Sequence, residues 1–196
     1  SCTVAPGLAL AKDRGLCDVR IVRQGKPWRY TARKMKIAIY PGTFDPVTRG
    51  HMDVLDEAAR LFDKVVVGVG INPRKVALFS DEERVQMLRG AISEGGWENV
   101  EAACFSGLTV DFAKRHGALF IVRGLRAVTD FEHEMALVLA NEQLSEEIKT
   151  VFLIPSHRHL YLSSSIVRQA AELGGQIIKG SVPDCVAVKL KEKFGF

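Results

Sequence analysis

Lys36-Ile-Ala-Ile-Tyr40 runs straight into Pro41-Gly-Thr-Phe-Asp-Pro-Val-Thr-Arg-Gly-His51, and this junction decides how the rest of the chain is read. The apolar run reads as a buried strand. Beyond it, Met52, Leu55, Ala59 and Phe62 recur at helical spacing, which predicts a helix over about 50–62. The turn between them is rich in Gly and Pro and ends at a helix N-terminus, where backbone N–H groups point outward unpaired. Such a turn suits a phosphate. Thr43 adds a hydroxyl, and His51, on the first helical turn, an imidazole able to donate a hydrogen bond to a phosphoryl oxygen. The blander reading makes Gly42 and Pro46 mere turn residues and His51 a polar cap. The full string from Tyr40 to His51 weighs against it. The string is not a P-loop, since GxxxxGK[ST] is absent, and Gly68-Val-Gly70 lacks the third glycine of a dinucleotide fingerprint.

Working outward, apolar runs alternate with helical periods. Strands are expected at 36–40, 65–71, 100–105, 118–122 and 150–154. Ser80-Asp-Glu-Glu83 is a capping box, in which Ser80 satisfies a free N–H and Glu83 reaches back; it opens a helix carrying Val85, Leu88 and Ile92. A helix is expected from Thr109 to His116. Thr129-Asp-Phe-Glu132 reads as a second capping box, opening a long helix with Phe131, Met135 and Val138 on one face. A short helix spans Ser163 to Glu172, and Pro183 suits the first turn of a last one to about Phe194. This alternation implies an α/β fold: a single doubly wound, Rossmann-like domain over 35–196, with a five-stranded parallel sheet and helices on both faces. Such sheets bind ligands beyond the carboxyl ends of their strands, so the informative loops follow residues 40, 71, 105, 122 and 154.

Composition agrees. The chain has 196 residues, 47% hydrophobic and 26% charged, as in a soluble globular protein. The net charge of +4 is unevenly spread: residues 1–34 hold eight basic residues against two acidic ones, leaving 35–196 at −2. The main body therefore gives no sign of nucleic-acid binding, which needs basic charge on a face. The longest apolar stretch, around Val65 to Ile71, is far too short to span a bilayer. Four cysteines without a CxxC pair argue against a disulfide framework or a Cys-rich zinc site, and for a reducing compartment such as the cytoplasm. Residues 1–34 are expected to be a poorly ordered extension or a stretch upstream of the true start, with Val19 to Arg23 as one short strand candidate.

Three further loops carry chemistry. Asn72-Pro-Arg-Lys75 follows the second strand, where Lys75 could reach an anion as a mobile charge. Val122-Arg-Gly-Leu-Arg126 places two arginines around a glycine at a strand exit, and guanidinium forks match phosphate oxygens. His157-Arg-His-Leu-Tyr-Leu-Ser-Ser-Ser165 offers three hydroxyls at a helix start, one of them expected to act as the N-cap. His157 and His159 have HxH spacing, but no third ligand cluster accompanies them and no protein metal site is expected.

Together, YPGTFDPVTRGH, RGLRAVTDFEHE and the LSSS stretch, in this order and spacing from Met35 to about Phe194, resemble the bacterial phosphopantetheine adenylyltransferases of the nucleotidyltransferase superfamily. Residues 1–34 have no counterpart there. The resemblance implies transfer of the adenylyl group of ATP to 4′-phosphopantetheine, giving dephospho-coenzyme A and pyrophosphate. It implies that Thr43 and Phe44 sit at the phosphate and adenylate site, with Thr43 touching both substrates, and that His51 steadies the α-phosphate. Lys75 and Arg123 would hold the phosphate of phosphopantetheine and the reacting phosphates. Gly124, Leu125 and Arg126 would form the nucleotide-binding turn and Glu134 a further ATP contact. His159, Leu160, Tyr161, Leu162, Ser163, Ser164 and Ser165 would form the loop that closes over ATP, and Thr109 would lie in the pantetheine pocket. It also implies Mg²⁺ riding on the ATP phosphates, a homohexamer, and coenzyme A as a feedback inhibitor. Two positions depart from the family pattern: Thr109 stands where Leu or Met is usual, and His133 where FEYE has Tyr.

The chemistry fits the residue set. The nucleophile would be a phosphate oxygen already ionised near neutral pH, so no side chain is needed as a base. The difficulty is bringing two polyanions together in line, which calls for cations and oriented N–H donors. Direct transfer without a covalent enzyme intermediate is expected.

Overall fold

In the computed structural model, the described residues are 20–23, 26–29, 35–71, 76–126, 128–174 and 180–195. The chain divides into two units, Ser1–Met35 and Lys36–Phe196. Within the first, β1 (Arg20–Arg23) pairs antiparallel with β2 (Lys26–Arg29), with Arg20 opposite Arg29.

The second unit follows the expected alternation: β3 (Ile37–Gly42), α1 (Arg49–Leu61), β4 (Lys64–Gly70), α2 (Asp81–Gly95), β5 (Val100–Phe105), α3 (Thr109–Arg115), β6 (Phe120–Gly124), α4 (Val128–Leu144), β7 (Lys149–Leu153), α5 (Ser164–Glu172) and α6 (Asp184–Phe194). The five strands lie in the order β5-β4-β3-β6-β7, every neighbouring pair parallel. The chain winds outward from β3 to β5, then returns to the other side of β3 as β6. The order reverses between β3 and β6, and a crevice opens at the carboxyl ends of strands flanking such a reversal.

Strand alternation sorts the core onto two faces. Ala38, Tyr40, Val65, Val67, Val69 and Val122 point to one face and pack with Leu55 of α1, Leu88 of α2 and Leu190 of α6. Ile39, Val66 and Ile121 point to the other and pack with Val110, Phe112 and Ala113 of α3. Strands covered on both faces read as near-continuous apolar runs, which is why they were visible in the sequence.

The capping box on α2 forms as expected: Glu83 N–H donates to Ser80 Oγ, and Ser80 N–H donates to Glu83 Oε2. Three elements are displaced by two residues. The first body strand runs past Tyr40 through Pro41 and Gly42, which pair with Gly68 and Val69 of β4. The fourth body strand begins at Phe120, not Ala118, and runs through Arg123 and Gly124. Gly117 takes a left-handed φ of 64°, and Ala118 N–H turns back to the carbonyl of Ala113, so 118 is spent ending α3, while Leu119 bonds to Ile37 and Lys149 just ahead of the strand. Arg123 and Gly124 are then paired with Phe152 and Leu153 of β7. The long helix starts at Val128, which puts Thr129 inside its first turn rather than at the N-cap; only 125–127 separate it from β6, so it begins as soon as that turn is complete. Nor is the expected apolar face of α4 buried: Phe131 is 44% exposed, its ring meeting Phe152 of the edge strand β7. Among the described residues no helix is long and apolar enough to cross a membrane.

Candidate functional site

The crevice between the ends of β3 and β6 holds two adjoining cavities of about 520 and 510 Å³, which share Thr43, His51, Gly70 and Arg126. The first extends past Arg123, Gly124 and Glu134 to Phe105, Thr109 and Leu137. The second extends along Ser163, Ser164 and Ser165 to Arg84 and Arg168. The size of each lies in the range that holds small-molecule ligands.

The turn after β3 is built from inside. Phe44 adopts φ 47°, a left-handed conformation that bulky residues rarely take, and is 1% exposed. Its ring lies edge-on to Tyr40, centroids 5.3 Å apart, and to His51, 5.0 Å apart. Packing therefore holds the strained residue and sets the imidazole at once. Phe44 lines the first cavity but belongs to the core as much as to the site. Asp45, 5% exposed, accepts from the backbone N–H groups of Leu78 and Phe79 at 2.8 and 3.0 Å and from Arg168 Nη1 at 3.4 Å. Arg84, 4% exposed, donates to the carbonyl of Thr43 at 2.8 Å and pairs with Asp81.

His51 is both cap and site residue, so the two readings of the sequence are not alternatives. Thr48 is the N-cap of α1, and its Oγ1 accepts from His51 N–H. In return Thr48 N–H donates to His51 Nδ1 at 3.0 Å. Nδ1 is thereby an acceptor, and the neutral ring carries its proton on Nε2. Burial, and after it the charge of Arg126, lowers the imidazole pKa from 6.5 to about 4. The site thus holds a neutral N–H donor at the place both cavities share. Burial likewise raises the pKa of Tyr40, which stays a neutral phenol.

Arg123, at the end of β6, is gripped by Glu134 of α4 through Nε and Nη2 at 2.5 and 2.7 Å, and its Nη1 donates to the carbonyl of Pro41 at 3.3 Å. The fork is thus aimed by two elements before any ligand arrives. Arg126 donates to the carbonyl of Leu162 at 3.2 Å, tying the turn after β6 to the segment before α5. Ser163 caps α5 by accepting from Ile166 N–H, and Ser164 Oγ donates to the carbonyl of Pro46 at 2.8 Å.

The structure therefore brings Thr43, Phe44, His51, Thr109, Arg123, Gly124, Arg126, Glu134, Leu162 and the three serines to one connected space. Leu125, His159, Leu160 and Tyr161 lie on the flanking segments but do not line it; Leu125 N–H donates to the carbonyl of Leu153, and Tyr161 is 80% exposed. Lys75 lies outside the described residues. Tyr40, Thr48, Asp45, Arg84 and Arg168 were not singled out from the sequence. Thr48 alone carried a local signal, a threonine three residues before a helical polar residue. What ties Asp45, Arg84 and Arg168 to the site are partners more than 30 residues away.

The cytidylyltransferase-like family matches residues 39–170 of this chain. A phosphopantetheine adenylyltransferase of Desulfosudis oleivorans is 49% identical over 83% of this chain and 95% of its own length. That of Methylacidiphilum infernorum is 50% identical over 82% and 92%, and that of Moorella thermoacetica 49% identical over 83% and 99%. Among solved structures, Plasmodium falciparum nicotinic acid mononucleotide adenylyltransferase complexed with NaAD superposes with a TM-score of 0.62 at 19% identity, covering 83% of this chain and 97% of that one. At that identity the likeness concerns the fold.

Proposed function

This chain belongs to the phosphopantetheine adenylyltransferase family, and we propose that it transfers the adenylyl group of Mg-ATP to 4′-phosphopantetheine by a single in-line displacement at the α-phosphorus. The products are dephospho-coenzyme A and pyrophosphate. The observation that carries the mechanism is His51, a neutral N–H donor at the junction of two cavities whose other linings differ in character.

ATP lies with its phosphates toward Arg126 and Ser163–Ser165 in the second cavity and its nucleoside toward Gly124, Glu134 and Leu162 in the first. Phosphopantetheine lies along the first, its phosphate at Thr43 and Arg123 and its pantetheine arm toward Thr109, Phe105 and Leu137. An ionised oxygen of the pantetheine phosphate attacks the α-phosphorus. The bond from that phosphorus to the bridging oxygen breaks, and pyrophosphate leaves with the electron pair. No proton has to be removed from the nucleophile. His51 Nε2–H donates to a non-bridging α-phosphoryl oxygen, and the guanidinium groups of Arg123 and Arg126 offset the charge gathered by two polyanions. Lys75 adds a further cation to the same phosphates. Holding the reactants in line contributes up to roughly 7–11 kcal/mol to the acceleration.

Mg²⁺ enters with the nucleotide. The carboxylates that line the two cavities, Asp45, Asp81 and Glu134, are already engaged by Leu78, Phe79 and Arg168, by Arg84 and by Arg123, which fits an ion carried on phosphate oxygens. A homohexamer, inhibition by coenzyme A and a cytoplasmic setting belong to the same proposal. The test is product formation from ATP chirally labelled at the α-phosphorus. Dephospho-coenzyme A with inverted configuration is expected; retention, or an adenylylated enzyme, would overturn the single displacement.

A further inference from the structure

The first two turns of α1 carry a carboxylate that the reaction does not use. Asp53 stands two residues after His51, and its Oδ2 accepts two hydrogen bonds, from the backbone N–H of Ser156 at 3.0 Å and from Nδ1 of His159 at 2.8 Å. The two donors are three residues apart, at the ends of one turn that is closed by His159 N–H to the carbonyl of Ser156. A second turn follows directly, with Leu162 N–H donating to the carbonyl of His159. One oxygen on α1 thus fixes the start of the segment that ends in Ser163–Ser165.

Gly50 shows that this approach is built into the helix. A Cβ there would stand 3.3 Å from the carbonyl oxygen of His159, a tight contact that would push the segment back by a few tenths of an ångström. An isolated, partly exposed ion pair would count for little. Here the same carboxylate oxygen holds a backbone amide more than 100 residues away in sequence, and the contact sets where a turn sits.

We propose that Asp53 is a positioning residue for the nucleotide: by holding Ser156 and His159 it sets the register of residues 156–165 against α1, so that Leu162 and Ser163–Ser165 meet ATP where His51 can reach its α-phosphate. This rests on the reading that the 156–165 segment is the nucleotide side of the site. Asp53 touches no substrate. His51 keeps its own bracing from Thr48, and the pantetheine end at Thr109 and Leu137 is built from other elements. The effect of losing Asp53 is therefore confined to ATP.

The test is steady-state kinetics on the full chain carrying Asp53→Ala or Asp53→Asn, with each substrate varied in turn. Asn keeps an oxygen that can accept both hydrogen bonds. Asp53→Ala should raise the KM for ATP about tenfold, a loss of the size expected for charge-assisted hydrogen bonds, with kcat and the KM for phosphopantetheine within about twofold of the unaltered enzyme. Asp53→Asn should restore the KM for ATP to within about threefold. An unchanged KM for ATP in Asp53→Ala would overturn the proposal. So would a joint change in kcat and both KM values, which marks a general loss of structure, or equal impairment of the two variants. Failure of the underlying reading would look different: Asp53→Ala would then raise the KM for phosphopantetheine and leave that for ATP unchanged.

Discussion

The backbone N–H of Thr48 donates to Nδ1 of His51 across 3.0 Å, and that bond decides which proton the imidazole presents. A charged ring would set its own Nδ1–H against the Thr48 N–H. Burial already disfavours the cation and lowers the pKa to about 4. The ring should therefore remain neutral, protonated on Nε2, well below pH 6. Nitrogen-resolved NMR of labelled histidine checks this directly: one slowly titrating ring with an acceptor-type Nδ1 is expected.

The same shift has a consequence for stability. Unfolded, His51 would titrate near 6.5; folded, near 4. Between these values the unfolded chain binds more protons, so stability falls as pH drops from about 6.5 toward 4. From pH 7 to pH 5 the loss from this residue is about 2 kcal/mol. Urea unfolding at the two pH values should show a smaller difference in His51→Gln than in the unaltered protein.

Substitutions at His51 separate its donor from its bulk. His51→Ala should lower kcat by ~10²-fold or more while leaving both KM values nearly unchanged, the pattern of an interaction made chiefly in the transition state. His51→Gln, whose amide can place an N–H near the position of Nε2, should retain more activity than His51→Asn. Near-normal turnover in His51→Ala would remove the role assigned to it.

Much of this was legible because it is local. The apolar runs of β3, β4 and β6 are continuous since both faces of the sheet centre are covered, whereas the edge strands β5 and β7 carry Glu101, Lys149 and Thr150. Ser80 and Glu83 announce a helix start because both partners of the cap lie within four residues. Thr43, His51, Arg123, Arg126 and Ser163–Ser165 could be picked out because a parallel sheet gathers its strand exits at one edge. What stayed hidden depends on distance along the chain. Asp45 meets Leu78, Phe79 and Arg168, Asp53 meets Ser156, and Arg84 meets Thr43, contacts that leave no periodic trace. The two-residue displacement of β6 turned on the left-handed Gly117, and the exposed Phe131 on α4 lying over the edge strand rather than the sheet centre.

Glu134 aims Arg123 with a two-pronged contact, although the family resemblance casts it as an ATP contact. If it acts through Arg123, Glu134→Gln should raise the KM for phosphopantetheine about tenfold, because an amide NH₂ then faces the guanidinium. A change confined to the KM for ATP would return Glu134 to the nucleotide. Initial rates with each substrate varied at saturating levels of the other give the answer.

Asp45 should matter to stability more than its distance from the chemistry suggests. Asp45→Ala leaves the Leu78 and Phe79 amides without their acceptor, that of Phe79 in a buried setting, while Arg168 keeps the residue-45 carbonyl and Ser165 Oγ. The expected cost is about 3 kcal/mol, read from the midpoint of chemical unfolding. Asp45→Asn, which keeps one acceptor oxygen, should lose less.

Pyrophosphate release from Mg-ATP, with 4′-phosphopantetheine and nicotinate mononucleotide offered in parallel, tests the central claim most directly. Release with phosphopantetheine alone is the predicted result and would fix reaction and acceptor together. Release with nicotinate mononucleotide instead would keep the fold and His51 but contradict the assigned acceptor, and release with neither would contradict the account as a whole.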